Sequence, residues 1–278
     1  MITQSGFSAF AEVKEERLNY VLLGDSIARG AGVLNPDEAC YGLMVANTNG
    51  YNFTNYAVNG YRTENLIKHL QKENVAEAVK QADIISISIG GNDFLTNNIA
   101  GLIFDATVKK DISRFDEIAA QLRINFATII ETIKELNPDA LILTQTLYNP
   151  RNDFIHDSYQ LGADRINACI MDYLRENPGA YDIVDVASAF GNDESYIAAD
   201  KIHPSAKGNV KIAELVLKKL HDLGYSGKTE PVVVTEGIDQ IPSSFSFKNI
   251  IAGLKNAVQS FITFVKKTFE NLAIAIEK

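Results

Sequence analysis

The stretch "YVLLGDSIARGAG" (Tyr20–Gly32) sets an apolar run directly against Gly24-Asp25-Ser26, with further small residues behind it. A short run rich in Val and Leu and ended by a glycine reads as a buried strand. Here it stops at a hydroxyl flanked by a carboxylate. From this segment alone two readings stay open. One is a turn that carries a serine. The other is a nucleophile lifted out of the end of a sheet, which needs partners elsewhere in the chain.

Working outward, "NYVLLG" (Asn19–Gly24) has four companions: "YNFTNYAV" (Tyr51–Val58), "DIISISIG" (Asp83–Gly90), "ALILTQTLY" (Ala140–Tyr148) and "YDIVDV" (Tyr181–Val186). Each is short, β-rich and bounded by Gly, Asn or Pro. Helix-period segments separate them at about Thr63–Gln81, Asp111–Leu136 and Ser158–Glu176, and another runs from about Ser205 to Leu223. The long pattern "EIAAQLRINFATIIETIKELNP" ends at Asn137-Pro138, where the residue before proline leaves the helical region. Strand–helix–strand alternation calls for parallel pairing with right-handed crossovers, hence an α/β chain folded as a three-layer α/β/α sandwich. Ligands of such sheets bind outside the carboxyl ends of the strands. The partners of Ser26 are therefore expected just after strands.

Four positions meet that test. Asn59-Gly60 follows the second strand, Gly91-Asn92-Asp93 follows the third, and the loop after the fifth holds "DKIHPSAKG", with Asp200 and His203 before a new helix. A serine hydroxyl is a weak nucleophile at neutral pH and needs an adjacent base, which His203 supplies. Asp200 can hold the imidazole in one tautomer and stabilise its protonated form. The side-chain amide of Asn92 and the backbone N–H groups of Gly60 and Ser26 suit an oxyanion hole. Taken singly, each piece has a plainer reading. A Gly-Asp-Ser triplet is usually a turn, Asn92-Asp93 fits a helix cap, and Asp-x-x-His before proline fits a capped surface loop. The weight lies in their order at four strand ends.

Gly24-Asp25-Ser26, Gly60, Gly90-Gly91-Asn92-Asp93 and Asp200-Lys201-Ile202-His203-Pro204 resemble the four sequence blocks of the SGNH, or GDSL, hydrolase superfamily, over roughly Asn19 to Leu223. The resemblance implies a flavodoxin-like parallel sheet and hydrolysis of esters or thioesters through an acyl-serine, with no metal or other cofactor. It implies Ser26 as nucleophile, His203 as base oriented by Asp200, and Ser26, Gly60 and Asn92 as oxyanion hole. "LYNP" (Leu147–Pro150) also looks like the lipase-like bacterial branch of that superfamily. The expected substrate is a lipid-like ester such as a lysophospholipid. A carbohydrate acetyl ester, or a binding module that has lost turnover, are the alternatives. His69 and His221 fall in amphipathic helices as packing or solvated residues, and His156, in the "NPRNDFIHDSY" loop, is a possible substrate contact.

Composition narrows the partners. Of 278 residues, 46% are hydrophobic and 22% charged, as in ordinary globular proteins. A formal net charge of -9 leaves no basic excess to neutralise phosphates, so no nucleic acid is expected. Cys40 and Cys169 lie far apart, which argues against a disulfide scaffold or zinc cluster. The N-terminus lacks a basic start followed by an apolar stretch, and the expected location is cytoplasmic.

The pattern changes after about Tyr225. A hydrolase domain is expected over 1–225, a linker over 226–247 and an amphipathic C-terminal helix over 248–278, with apolar residues from Ile250 through Leu254, Phe261 and Phe269 to Ile276 on one stripe. From Phe245 onward five lysines and two glutamates give a local charge of +3, opposite to the whole chain. Three roles suit such a helix: packing on the hydrolase domain as core or lid, self-association, or contact with a lipid surface.

Overall fold

The β-rich runs become one sheet whose strands all point the same way. In the computed structural model, which describes residues 17–233 and Thr263, β1 (Asn19–Gly24), β2 (Asn52–Asn55), β3 (Ile84–Ser88), β4 (Leu141–Gln145) and β5 (Asp182–Val184) lie in the order β2-β1-β3-β4-β5. All four pairings are parallel, with Val21 opposite Thr54 on one side and Ile85 on the other. This is the flavodoxin-like order, and its switch point lies between β1 and β3. The helices are α1 (Ser26–Arg29), α2 (Pro36–Ala39), α3 (Tyr41–Asn49), α4 (Thr63–Leu70), α5 (Glu73–Lys80), α6 (Gly91–Leu95), α7 (Ile99–Phe104), α8 (Ser113–Leu136), α9 (His156–Glu176), α10 (Val186–Phe190) and α11 (Ala206–Asp222).

Successive strand residues alternate between the two faces. Val21 and Leu23 of β1, with Ile85 and Ile87 of β3, join a core built with Leu66 and Leu70 of α4, Val75 and Val79 of α5, Phe126 and Ile130 of α8, and Ile166 and Ile170 of α9. Tyr20 and Leu22 point the other way, into a core with Met44 and Val45 of α3 and Ile212, Val216 and Leu220 of α11. Helices thus cover both faces, as a buried parallel sheet requires. Among the described residues no helix is long and apolar enough to cross a membrane.

Three local expectations change. The single helix expected over Thr63–Gln81 is two, because Lys72 is extended (φ -74°, ψ 133°). Leu66 and Leu70 share a stripe, as do Val75 and Val79, but the five-residue step from Leu70 to Val75 would turn the second stripe about 140° away in one continuous helix. The break re-aims it at the core. The second strand is shorter than Tyr51–Val58 because the Asn55 side chain accepts from the Ala57 N–H at 2.9 Å and turns the chain out of the sheet. Helix α3 escapes a periodicity search because "YGLMVANTN" is buried on several sides and shows no single stripe.

Residues 226–233 run along α3. Lys228 Nζ donates to the Thr48 carbonyl at 2.7 Å, and the Val232 N–H donates to Thr48 Oγ1 at 2.8 Å. The expected helix over 248–278 lies outside the described residues apart from Thr263, as does most of the expected linker.

Candidate active site

Gly24 ends β1 beside Ser88 at the end of β3, and the Asp25 N–H donates to the Ser88 carbonyl at 2.9 Å. Gly24 adopts φ 130°, and a Cβ there would lie 1.9 Å from the Ser88 carbonyl oxygen. Only glycine fits this turn. Asp25 is buried, and its carboxylate caps α1 by accepting from the Ile27 N–H at 3.0 Å. Ser26 therefore starts α1 at the sheet's carboxyl edge, held from both sides. Burial pushes the Asp25 carboxyl up to about 7; the Ile27 N–H and the nearby His203 offset only part of that.

His203, the expected base, arrives from the other end of the chain. His203 Nε2 lies 2.8 Å from Ser26 Oγ, and its Nδ1 lies 2.6 Å from Asp200 Oδ2. The other Asp200 oxygen accepts from the N–H groups of Ile202 and His203, both at 3.0 Å. Burial alone would raise the Asp200 carboxyl; the hydrogen bonds from His203 and from those backbone groups prevail and hold it below its ordinary value. An ionised Asp200 is an acceptor only, so Nδ1 carries the proton and Nε2 is left to accept from the serine hydroxyl.

The loop that carries Asp200 and His203 is tied down at several points. The Ala198 N–H donates to the His203 carbonyl at 2.8 Å, and Ile197 bridges Pro204. Lys201 takes the left-handed conformation, φ 60°, at the tip. The buried Tyr148 hydroxyl donates to the Ile202 carbonyl at 2.8 Å, and Arg151, held by Asp153, reaches the Lys201 carbonyl at 3.4 Å. On the serine side Gly32 (φ 106°) lets the two segments close, since a Cβ there would sit 2.2 Å from the Pro204 carbonyl oxygen.

Gly60 and Asn92, the expected oxyanion donors, lie just after β2 and β3. Asn92 does not cap α6; Gly90 occupies that position, and the Asn92 amide instead donates to the Tyr61 carbonyl at 3.1 Å. That uses one of its two amide hydrogens. Neighbouring Asp93 accepts from the Thr63 N–H at 3.0 Å and from the Thr63 hydroxyl at 2.6 Å, which pins the Gly60–Arg62 segment against α6. Burial raises the Asp93 carboxyl, with the Thr63 bonds offsetting part of the rise.

Ser26, Gly60, Asn92, Asp200 and His203 all line one cavity of about 360 Å³. Away from these residues its wall is mostly apolar, with Phe94, Leu95, Ile99, Phe115 and Ile166 from α6, α7, α8 and α9 and Leu147 from the segment after β4, while Ser158 and Tyr159 of α9 add polar groups. His156 does not line it; that residue opens α9 and pairs with Asp157 at 3.1 Å. His69 is buried against Tyr61, and His221 lies beside Asp222. Among the described residues no group of three His, Cys, Asp or Glu side chains converges as a metal site. Sequence reasoning missed Asp25 as a cap, Asp93 as the clamp on Thr63, and Arg151 as a tether of the histidine loop. Asp25 and Asp93 stand in the Gly-Asp-Ser and Gly-Gly-Asn-Asp blocks and Tyr148 in "LYNP", but those patterns do not announce these roles.

Residues 22–211 match the family model of the GDSL-like Lipase/Acylhydrolase family. The "Uncharacterized protein YpmR" of Bacillus subtilis (strain 168) is 27% identical over 227 residues, covering 76% of this chain and 84% of that protein. The spore germination lipase LipC of Bacillus licheniformis is 28% identical over 221 residues, covering 75% of this chain and 97% of that one. Among solved structures, the lipase Lip_vut3 from a goat rumen metagenome superposes with a TM-score of 0.60 at 25% identity, covering 76% of this chain and 99% of its own. The chain belongs to the GDSL-like lipase/acylhydrolase family and is a carboxylic ester hydrolase.

Proposed function

We propose that this family member hydrolyses lipid-like esters, such as lysophospholipids, through an acyl-enzyme on Ser26, with the acyl chain lodged along the apolar wall of the cavity. The observation that carries the reading is the unbroken chain Ser26–His203–Asp200, with contacts of 2.8 and 2.6 Å, opening into that cavity.

In the first half-reaction Ser26 Oγ attacks the ester carbonyl carbon while its proton passes to His203 Nε2. Asp200 stabilises the imidazolium that forms. The oxyanion is held by the N–H groups of Ser26 and Gly60 and by the second amide hydrogen of Asn92, the first being committed to Tyr61. Neither of those two backbone N–H groups donates to an acceptor among the described residues. As the C–O bond breaks, the imidazolium returns its proton to the leaving alcohol. In the second half-reaction His203 Nε2 takes a proton from water, the hydroxide attacks the acyl carbon, and the proton goes back to Ser26 Oγ as the acid leaves.

The aromatic and aliphatic wall supports a lipid-like acyl group over an acetyl group, because each buried methylene is worth about 0.8 kcal/mol. The name of the matched Bacillus licheniformis protein, a lipase, points the same way. Deacetylation of a carbohydrate would instead use a polar cleft and a short acyl group. Assay of p-nitrophenyl esters from acetate to palmitate tests the reading. A kcat/KM that rises with chain length beyond butyrate is expected. Turnover confined to acetate would favour the carbohydrate esterase, and no turnover with a reactive ester would leave a binding module.

A further inference from the structure

Five glycines lie inside helices among the described residues: Gly42, Gly91, Gly101, Gly162 and Gly208. Glycine is the weakest helix former after proline, so each position invites a reason. For three the reason is space. A Cβ at Gly42 would meet a Leu22 methyl at 2.6 Å, one at Gly101 would meet the Asn98 side chain at 2.5 Å, and one at Gly208 would meet the Tyr196 carbonyl oxygen at 2.2 Å. The remaining two have no such need. At Gly91 the first contact is a Leu147 methyl at 3.7 Å, and at Gly162 the first contacts are Phe94 and Phe115 carbons at 3.7 and 3.8 Å, ordinary van der Waals distances. Those two are the helical glycines that line the cavity.

Gly162 lies well inside the 21-residue helix α9, is buried, and faces the stacked pair Phe94–Phe115, whose centroids are 5.6 Å apart. Alanine would fit there and favour the helix. What it would remove is room. We infer that Gly162 sets the bore of the acyl cavity and thereby the longest acyl chain accepted, its missing side chain leaving bare backbone where α9 lines the cavity. Ala163, the next residue of α9, widens the same wall. The inference rests on the reading that the cavity holds the acyl group.

Two variants test it, with two readouts. Gly162→Ala should raise Tm by about 2–4 °C, the size expected for one helix-propensity step in a domain this large. It should also move the preferred p-nitrophenyl ester to a shorter chain. Gly162→Leu should shift the chain-length profile, its kcat/KM for palmitate falling at least about tenfold relative to that for butyrate, as for a pocket asked to hold what no longer fits. Calorimetric titration with decanoate reads the bore without turnover: the parent should bind it and the Leu variant should not. Folded variants with the parental chain-length profile and parental decanoate binding would overturn the inference while leaving the ester hydrolase intact. A parent that binds decanoate, with loss in the Leu variant, but that turns over no ester would uphold the bore and overturn the proposed reaction. If Gly162→Leu does not fold, an unchanged profile in Gly162→Ala together with unchanged decanoate binding overturns the inference by itself.

Discussion

Ser26 and His203 meet at 2.8 Å, yet the chain fixes them by different means. Ser26 hangs from the sheet's own backbone: β1 ends against Ser88, the Asp25 N–H is bonded there, and the Gly24 carbonyl accepts from the Val58 N–H at 3.1 Å. His203 sits in a loop outside the sheet, closed on itself by backbone bonds such as Ala198 N–H to the His203 carbonyl and tied to the segment after β4 by the side chains of Tyr148 and Arg151. A site anchored by backbone fails together with the fold when altered. One anchored by side chains can lose alignment while the fold survives.

The largest effect should follow from Gly24→Ala. Its Cβ would combine left-handed strain with overlap against the Ser88 backbone, for a loss of about 2–5 kcal/mol in stability, and activity should fall with it. Urea denaturation checks this. A parental midpoint would break the distinction between the two halves.

Asp25→Asn should come next, on the same side. The folded carboxyl titrates near 7, above its ordinary 3.8. A group raised on folding contributes fully below its unfolded value and loses that contribution as pH rises through the folded one. The parent should therefore lose stability between about pH 4 and 7 relative to the Asn variant, with the gap levelling off above that range. The side-chain amide oxygen can still accept from the Ile27 N–H, so the slope isolates the charge. Tm measured against pH for both proteins reads it, and parallel curves would contradict the account.

Tyr148→Phe should give the smallest change and of the other kind. Losing one hydrogen bond to the Ile202 carbonyl costs roughly 0.5–1.5 kcal/mol. The loosened loop should lower kcat by no more than about 10²-fold, the penalty for a displacement near 1 Å, with KM held. A fall in stability with kcat unchanged would mean that Tyr148 supports the fold and not the position of His203.

The same contrast explains what could be read from the chain. Ser26 and Asn92 are visible because they follow apolar runs that mark strands, and the parallel order brings strand ends to one edge without any knowledge of side-chain contacts. Asp200-x-x-His203 is visible through its local spacing. Tyr148 and Arg151 act across 54 and 50 residues on backbone carbonyls, which any residue possesses, so no pairing of residue types betrays them. Gly162 is hidden for a related reason: a helical glycine that makes room cannot be told by sequence from one that avoids a clash. The break between α4 and α5, by contrast, was present in the spacing of Leu70 and Val75 and could have been found by tracking phase along the segment.

The central claim is that Ser26 is activated by His203. Labelling with a fluorophosphonate, followed by intact-mass and peptide analysis, tests it most directly, because the reagent reacts with an activated serine. The account predicts a single adduct mapped to Ser26, no adduct in Ser26→Ala, and strongly slowed labelling in His203→Ala. An adduct on another residue, or undiminished labelling in a folded Ser26→Ala protein, would contradict it.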